Sequence, residues 1–202
     1  PICAEYTGAR DLRDKNQRQN AYIALGGNLA SDFGAPEDTL RAALGALSGA
    51  GVSVVSVSAS YRTDCFPKGA GPDFVNACAH IESPFGAEPL LQILHEIEAA
   101  FGRTREVRWA GRPLDIDLIA MGAKVCPTPE IVRGWMGLPI DQQMKTAPDQ
   151  LILPHPRLHE RGFVLIPLRD VAPDWIHPLL GKTVTQMCDE LPESERSGVK
   201  PL

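Results

Sequence analysis

Arg112-Pro113-Leu114-Asp115-Ile116-Asp117-Leu118-Ile119 is an apolar run interrupted at two alternate positions by aspartate. Alternation of period two predicts a strand, with Leu114, Ile116 and Leu118 on one face and Asp115 and Asp117 on the other. One face belongs to a core and the other to a site. Two steps of strand rise separate the aspartates by roughly 6 to 7 Å at the backbone. At an effective dielectric of about 20 the bare pair would repel by roughly 2 to 3 kcal/mol, a conflict that a hard divalent cation removes. Mg2+ suits such a pair, because it takes one or two carboxylates and fills its other positions with water and substrate phosphates.

Arg103, Arg105, Arg108 and Arg112 lie just upstream, with Trp109 among them, on a segment poor in apolar residues. A lone Asp-x-Asp is more often a solvated strand face. Four arginines within ten residues favour instead a phosphate-binding arm beside a metal site, and so phosphoryl or nucleotidyl transfer.

Working outward, Ala21 to Leu25 reads as a short buried strand running into a tight turn at Gly26-Gly27-Asn28. A helix follows from Pro36, with Glu37 and Asp38 in its first turn, Leu40, Ala43, Leu44 and Leu47 on one face, and Gly49 and Gly51 at its end. Val52 to Tyr61 alternates like a strand, but Val54-Val55 breaks the phase, which predicts a bulge or a stretch covered on both faces. Residues 62 to 73 form a Gly/Pro-rich loop long enough to be functional. Phe74 to Glu82 alternates cleanly, with Val75, Ala77, Ala79 and Ile81 for the core and Phe74, Asn76, Cys78 and His80 opposite. Phe74 and Asn76 together suit a flat heterocycle or a structural role. A second helix spans about 87 to 101, with Leu90, Leu94, Ile97 and Phe101 on one face and Gly102 after its end.

Strand, helix, strand, strand, helix, strand is the ferredoxin-like order. The expected class is therefore α+β: a βαββαβ core with an antiparallel sheet, plus C-terminal helical and strand additions. Both helices would cover one sheet face, leaving Asp115, Asp117, Phe74 and Asn76 together on an exposed one. Residues 1–20, with seven charged side chains, are expected to be a flexible tail, 21–191 a single domain, and 192–202 a C-terminal tail. Pro127, Pro129, Pro139, Pro148 and Trp135 mark 127–150 as an insertion covering either the nucleotide side or an oligomer surface. An apolar run follows Arg161-Gly162-Phe163, and 183–191 reads as a short helix.

The formal net charge of -5 argues against a general nucleic-acid or anionic-membrane surface, and the positive charge is local to 103–112. Five scattered cysteines without Cys-x-x-Cys spacing support neither a disulfide framework nor a zinc site, so a cytoplasmic setting is expected. No apolar run approaches membrane-spanning length. Gly181-Lys182-Thr183 lacks the earlier glycine and leading strand of a P-loop, and the five histidines show no metal-ligand spacing.

Seven ordered motifs carry a resemblance. Gly26-Gly27-Asn28-Leu29, Ser60-Tyr61-Arg62-Thr63, Pro72-Asp73-Phe74-Val75-Asn76, Glu98 with Gly102-Arg103, Arg112-x-x-Asp115-x-Asp117, Pro154-His155-Pro156 and Arg161-Gly162-Phe163 occur in the order seen in 6-hydroxymethyl-7,8-dihydropterin pyrophosphokinases. The chain resembles that family over about residues 20 to 190. The resemblance implies transfer of pyrophosphate from ATP to the hydroxymethyl group of a reduced pterin, with release of AMP, in folate biosynthesis.

By the same resemblance, Asp115 and Asp117 would hold two Mg2+ ions, and Arg103 and Arg112 would clamp phosphates. Arg105, Arg108 and Trp109 would close over the ATP, with Glu98, Leu118, His155 and Arg161 on the nucleotide side. Phe74 and Phe163 would sandwich the pterin, with Asn76 and the backbone near Thr63 and Phe66 reading its polar edge. The implied partners are ATP and the pterin alone, with no nucleic acid and no membrane, and the chain is expected to act as a monomer. Gly27, Gly111 and Asp64-Cys65 depart from residues frequent in the family and imply a looser arm. The rival reading is another metal-dependent nucleotidyl transferase on a ferredoxin-like sheet, for which Phe74, Asn76 and Phe163 would have no use. An RNA-binding module would need clustered aromatics and a basic domain, and the sequence shows neither.

Overall fold

The computed structural model describes residues 18–65, 71–102, 111–139, 142 and 145–202. Its strands are β1 (Gln19–Gly27), β2 (Ser53–Val57), β3 (Tyr61–Thr63), β4 (Phe74–Ser83), β5 (Asp115–Met121) and β6 (Val199–Pro201). The helices are α1 (Pro36–Gly49), α2 (Ala87–Ala100), α3 (Pro129–Met136), α4 (Gly162–Val171), α5 (Val184–Glu190) and α6 (Glu193–Ser197). The sheet runs β5-β1-β4-β3-β6 with β2 also on β4, and every strand pairing is antiparallel. β1 therefore lies between β4 and β5, and brings residues far apart in sequence into rows across three strands.

One sheet face carries Ile23, Leu25, Ala77, Ile81, Ile116 and Leu118 against Leu40 and Leu47 of α1 and Leu90 and Leu94 of α2, all buried. The sequence expected a single strand from Val52 to Tyr61. The structure divides it into β2 and β3, with a register shift between Val54 and Ser56 that leaves Val55 exposed as the extra residue of a bulge.

The opposite face is not left open. Cys78 of β4 and Ile119 of β5 are fully buried beneath Val164, Leu165 and Leu168 of α4 and Met187 and Cys188 of α5. Even at the end of the strands that carries Asn76 and Asp115 the face is only partly open: Asn76 is 7% exposed, and Phe74, Asp115 and Asp117 are half-buried. The sequence hid α4 because Pro167 lies inside it, where proline removes a helical hydrogen bond and ordinarily breaks the pattern. The short helix expected at 183–191 is α5, started by a capping box in which Thr183 and Gln186 bond each other's backbone amides.

The first and last segments also differ from expectation. β1 begins at Gln19, inside the range read as a tail, while residues 1–17 lie outside the described ones. Residues 192–202 hold α6 and β6, and β6 pairs with β3 from Tyr61↔Pro201 to Thr63↔Val199. α6 approaches α4 so closely that a Cβ on Gly162 would collide with the Glu195 carbonyl, while the Glu195 carboxylate accepts a 3.1 Å bond from the Gly162 amide. Gly162→Ala is expected to lower stability by about 1 to 3 kcal/mol through this overpacking. Urea unfolding checks it, and an unshifted midpoint would mean that α6 moves aside freely.

Candidate functional site

The site lies on the partly open face. In the register of the sheet Gly26 stands between Asn76 and Asp115, and Ala24 stands between Cys78 and Asp117. Strand spacing places Asn76 and Asp115 roughly 10 Å apart across Gly26. Small side chains at 24 and 26 leave the floor low, and a Cβ on Gly26 would come to 3.1 Å from Asn76 Oδ1. Asp115 and Asp117 are both half-buried on this face, as the period of the strand requires.

Around the carboxylates the structure brings several expected residues together. Arg112 Nη1 donates to Asp115 Oδ2 at 2.6 Å. Arg161 is half-buried; desolvation lowers its guanidinium pKa, while the neighbouring Asp117 and Asp115 carboxylates hold it up. Its guanidinium also lies 5.6 Å from the centre of the Phe163 ring, over its face, in cation–π range. On the other side, Thr63 pairs with Phe74 in the β3–β4 register, and Asn76 Nδ2 donates to Thr63 Oγ1 at 2.9 Å. Phe163 at the start of α4 is 37% exposed, so its ring is accessible beside the cleft.

Glu98 and His155 attach to the edge strand that carries the aspartates. Glu98, only 1% exposed, receives the Ile116 amide on Oε1 at 2.7 Å, so a carboxylate from α2 braces the residue between Asp115 and Asp117. The His155 amide donates to the Ile119 carbonyl at 2.8 Å, and its Nδ1 accepts from the Arg157 amide at 3.2 Å. Burial first, then the positive Arg161 and Arg157, push the His155 imidazole down to about 3. It is therefore neutral near pH 7, with its proton on Nε2 as a donor.

Leu118 does not present its side chain here. It is 4% exposed in the core beneath the helices, because alternation groups it with Ile116, so only its main chain remains for a ligand. Phe66, Arg103, Arg105, Arg108 and Trp109 lie outside the described residues. Asn28, quoted in a motif without a part of its own, is a residue whose place in the site only its contacts reveal. The one sequence signal was the tight turn after β1. Gly111 sits against Leu29, where a Cβ would come to 3.0 Å, so the departure there matches the packing.

Histidine burial also gives the fold a pH dependence. His177 is pushed down to about 4 by burial and by His159, and His159 itself is lowered by burial. The unfolded chain takes up these protons near pH 6.5, the folded chain only at lower pH. The folded state thus binds fewer protons in between, and stability falls as pH drops below about 6.5. His177 Nδ1 accepts from the Leu179 and Leu180 amides, a part that the amide oxygen of His177→Asn imitates. That variant is expected to flatten the fall in the urea midpoint between about pH 6.5 and 4. An identical slope would assign the fall to other groups.

Two half-buried aspartates on one strand face, with Arg112 bonded to one of them and Arg161 beside both, are the residue types on which phosphoryl transfer relies. The family model for 7,8-dihydro-6-hydroxymethylpterin-pyrophosphokinase matches residues 22–173. The 2-amino-4-hydroxy-6-hydroxymethyldihydropteridine pyrophosphokinase of Synechocystis is 35% identical over 176 residues, covering 87% of this chain and 77% of the relative. That of Bacillus subtilis is 36% identical over 153 residues, covering 75% of this chain and 77% of the relative. The chain belongs to the 7,8-dihydro-6-hydroxymethylpterin-pyrophosphokinase family. A crystal structure of Plasmodium falciparum HPPK-DHPS with pteroate shares the fold, with a TM-score of 0.61 at 13% identity over 89% of this chain. This chain spans 44% of that longer one. Among the described residues no helix is long and apolar enough to cross a membrane.

Proposed function

We propose that this chain transfers the β,γ-pyrophosphoryl group of ATP to the hydroxyl of 6-hydroxymethyl-7,8-dihydropterin, releasing AMP, for folate synthesis. The observation that carries the reading is the row Asn76, Gly26, Asp115: a heterocycle-reading amide and a cation-holding carboxylate face each other across a floor without side chains. The core that presents this row is ferredoxin-like, with β2 and β3 sharing the place of one strand. The enzyme domain, expected over 21–191, is read as reaching from Gln19 through β6, with 127–150 an insertion in it, acting as a monomer in the cytoplasm.

Asp115 and Asp117 would hold two Mg2+ ions. The donor set fits: both carboxylates share one face above Gly26 and Ala24, and among the described residues no group of three or more His, Cys, Asp and Glu side chains forms a closed metal cage. Water and substrate oxygens would be needed beside these two carboxylates, which suits Mg2+. When bound, such ions neutralise phosphate charge and lower the pKa of the attacking hydroxyl.

The protein's own part is alignment. Arg112 and Arg161 offer planar donors to phosphate oxygens on either side of the aspartates. Arg103, with Arg105, Arg108 and Trp109, is assigned to the clamp over the nucleotide; Glu98 and the main chain of Leu118 support the ATP side. His155, neutral, donates from Nε2 toward the nucleotide without adding charge. Phe74 and Phe163 stack on the pterin, while Asn76, Thr63 and the backbone at Phe66 pair with its polar edge, so that a wrong heterocycle leaves buried groups unsatisfied. The hydroxyl oxygen attacks the β-phosphorus in line, the bond from that phosphorus to the α–β bridging oxygen breaks, AMP leaves, and the hydroxyl proton is released.

The test is product analysis with ATP, Mg2+ and 6-hydroxymethyl-7,8-dihydropterin, resolving AMP from ADP. AMP with a diphosphorylated pterin is expected. Release of pyrophosphate with a nucleotidylated acceptor would favour the nucleotidyl-transferase reading, and ADP would exclude both.

A further inference from the structure

Asn28 follows β1, is 4% exposed, and uses both ends of its side-chain amide on segments distant in sequence. Its Oδ1 accepts from the Arg112 amide at 2.9 Å, and its Nδ2 donates to the Pro72 carbonyl at 3.1 Å. Its own amide donates to the Arg112 carbonyl at 3.0 Å, and the Leu29 amide shares that acceptor at 3.3 Å. Arg112 is thus held by its N–H and its C=O at one point. The chains cross so tightly there that a Cβ on Gly27 would collide with the Pro113 carbonyl.

We infer that Asn28 is a positioning residue that sets Arg112, and through it Asp115, against the segment leading into Phe74. Pro72 lies two residues before Phe74, and the Arg112 guanidinium bonds Asp115 Oδ2 at 2.6 Å. One buried amide therefore spans the two sides of the cleft. A carboxamide suits this task because its acceptor and its donor sit on separate atoms and reach two segments at once, where a hydroxyl would have to serve both from one oxygen. The inference rests on the pyrophosphokinase reading for what Arg112 and Phe74 bind.

Because Asn28 acts through Arg112, its effect depends on the guanidinium being present. Asn28→Ala is expected to lower kcat about tenfold or more, with smaller changes in the KM for ATP. In an Arg112→Ala background the same substitution is expected to change the single-turnover rate by less than about threefold, while its effect on Tm is equal in both backgrounds. Asn28→Asp keeps the acceptor for the Arg112 amide but loses the donor to Pro72, so it is expected to restore most of kcat and to raise the KM for the pterin. This variant also carries the test if Asn28→Ala does not fold.

Equal losses of rate in the two backgrounds would overturn the positioning role, as would wild-type kcat in Asn28→Ala. So would Asn28→Asp at wild-type KM for the pterin. No AMP from the wild type would remove the underlying reading, and the role with it, a result distinct from any of these.

Discussion

Asp117→Ala is expected to reduce kcat about 10³-fold, the equivalent of roughly 4 kcal/mol of transition-state stabilisation. Asp117 shares its face of β5 with Asp115 and stands opposite Ala24, with no bulky neighbour in that row to take over a cation. Truncation removes half of the anionic donor set without opening a core cavity, since the side chain is only half-buried. The loss should therefore appear chiefly in turnover, with a smaller loss in folding where Arg161 gives up a neighbouring carboxylate. Steady-state kinetics at saturating Mg2+, a Mg2+ titration followed calorimetrically with a non-hydrolysable ATP analogue, and a urea midpoint check the three parts. A full-rate Asp117→Ala enzyme would end the two-aspartate scheme.

Glu98→Ala is expected to cost roughly 100-fold in kcat together with about 1 to 3 kcal/mol of stability. Among the described residues β5 is the end strand of the sheet, with no strand beyond it, and the Ile116 amide is met by the buried Glu98 carboxylate at 2.7 Å. Removal leaves a buried donor unsatisfied at the residue between the two aspartates, and lets that part of the strand shift. Glu98→Gln retains an acceptor oxygen and is expected to recover most of the rate. If Glu98→Ala loses stability alone while kcat at low temperature stays at the wild-type value, the brace serves the fold and not the carboxylate pair.

Much of this arrangement was legible in local spacing. Alternation put Asp115 and Asp117 on one face and Ile116 and Leu118 on the other, and the buried pattern of β5 agrees. The phase break at Val54-Val55 marked either a bulge or a stretch covered on both faces, and it is a bulge; the glycine and proline boundaries marked α1. α4 was obscured because Pro167 contradicts helix propensity while packing of Val164, Leu165 and Leu168 overrides it. The alternation of β4 was correct, yet Cys78 on its second face is buried, since period reports which residues share a face and not what covers it.

By itself, then, the sequence determined the order of elements as far as β5, except that one expected strand is divided into β2 and β3, the shared face of the aspartates, and the motifs that mark the family. The tertiary structure alone decided that α4 and α5 close all but one end of the second face. It alone directed the Glu98 carboxylate to the Ile116 amide, and joined Asn28 to Arg112, 84 residues away. Local spacing follows from backbone periods, which a chain carries in every segment. Partners across a sheet depend on which unpaired donors and acceptors the whole fold buries together, and each must then find one another or lose free energy.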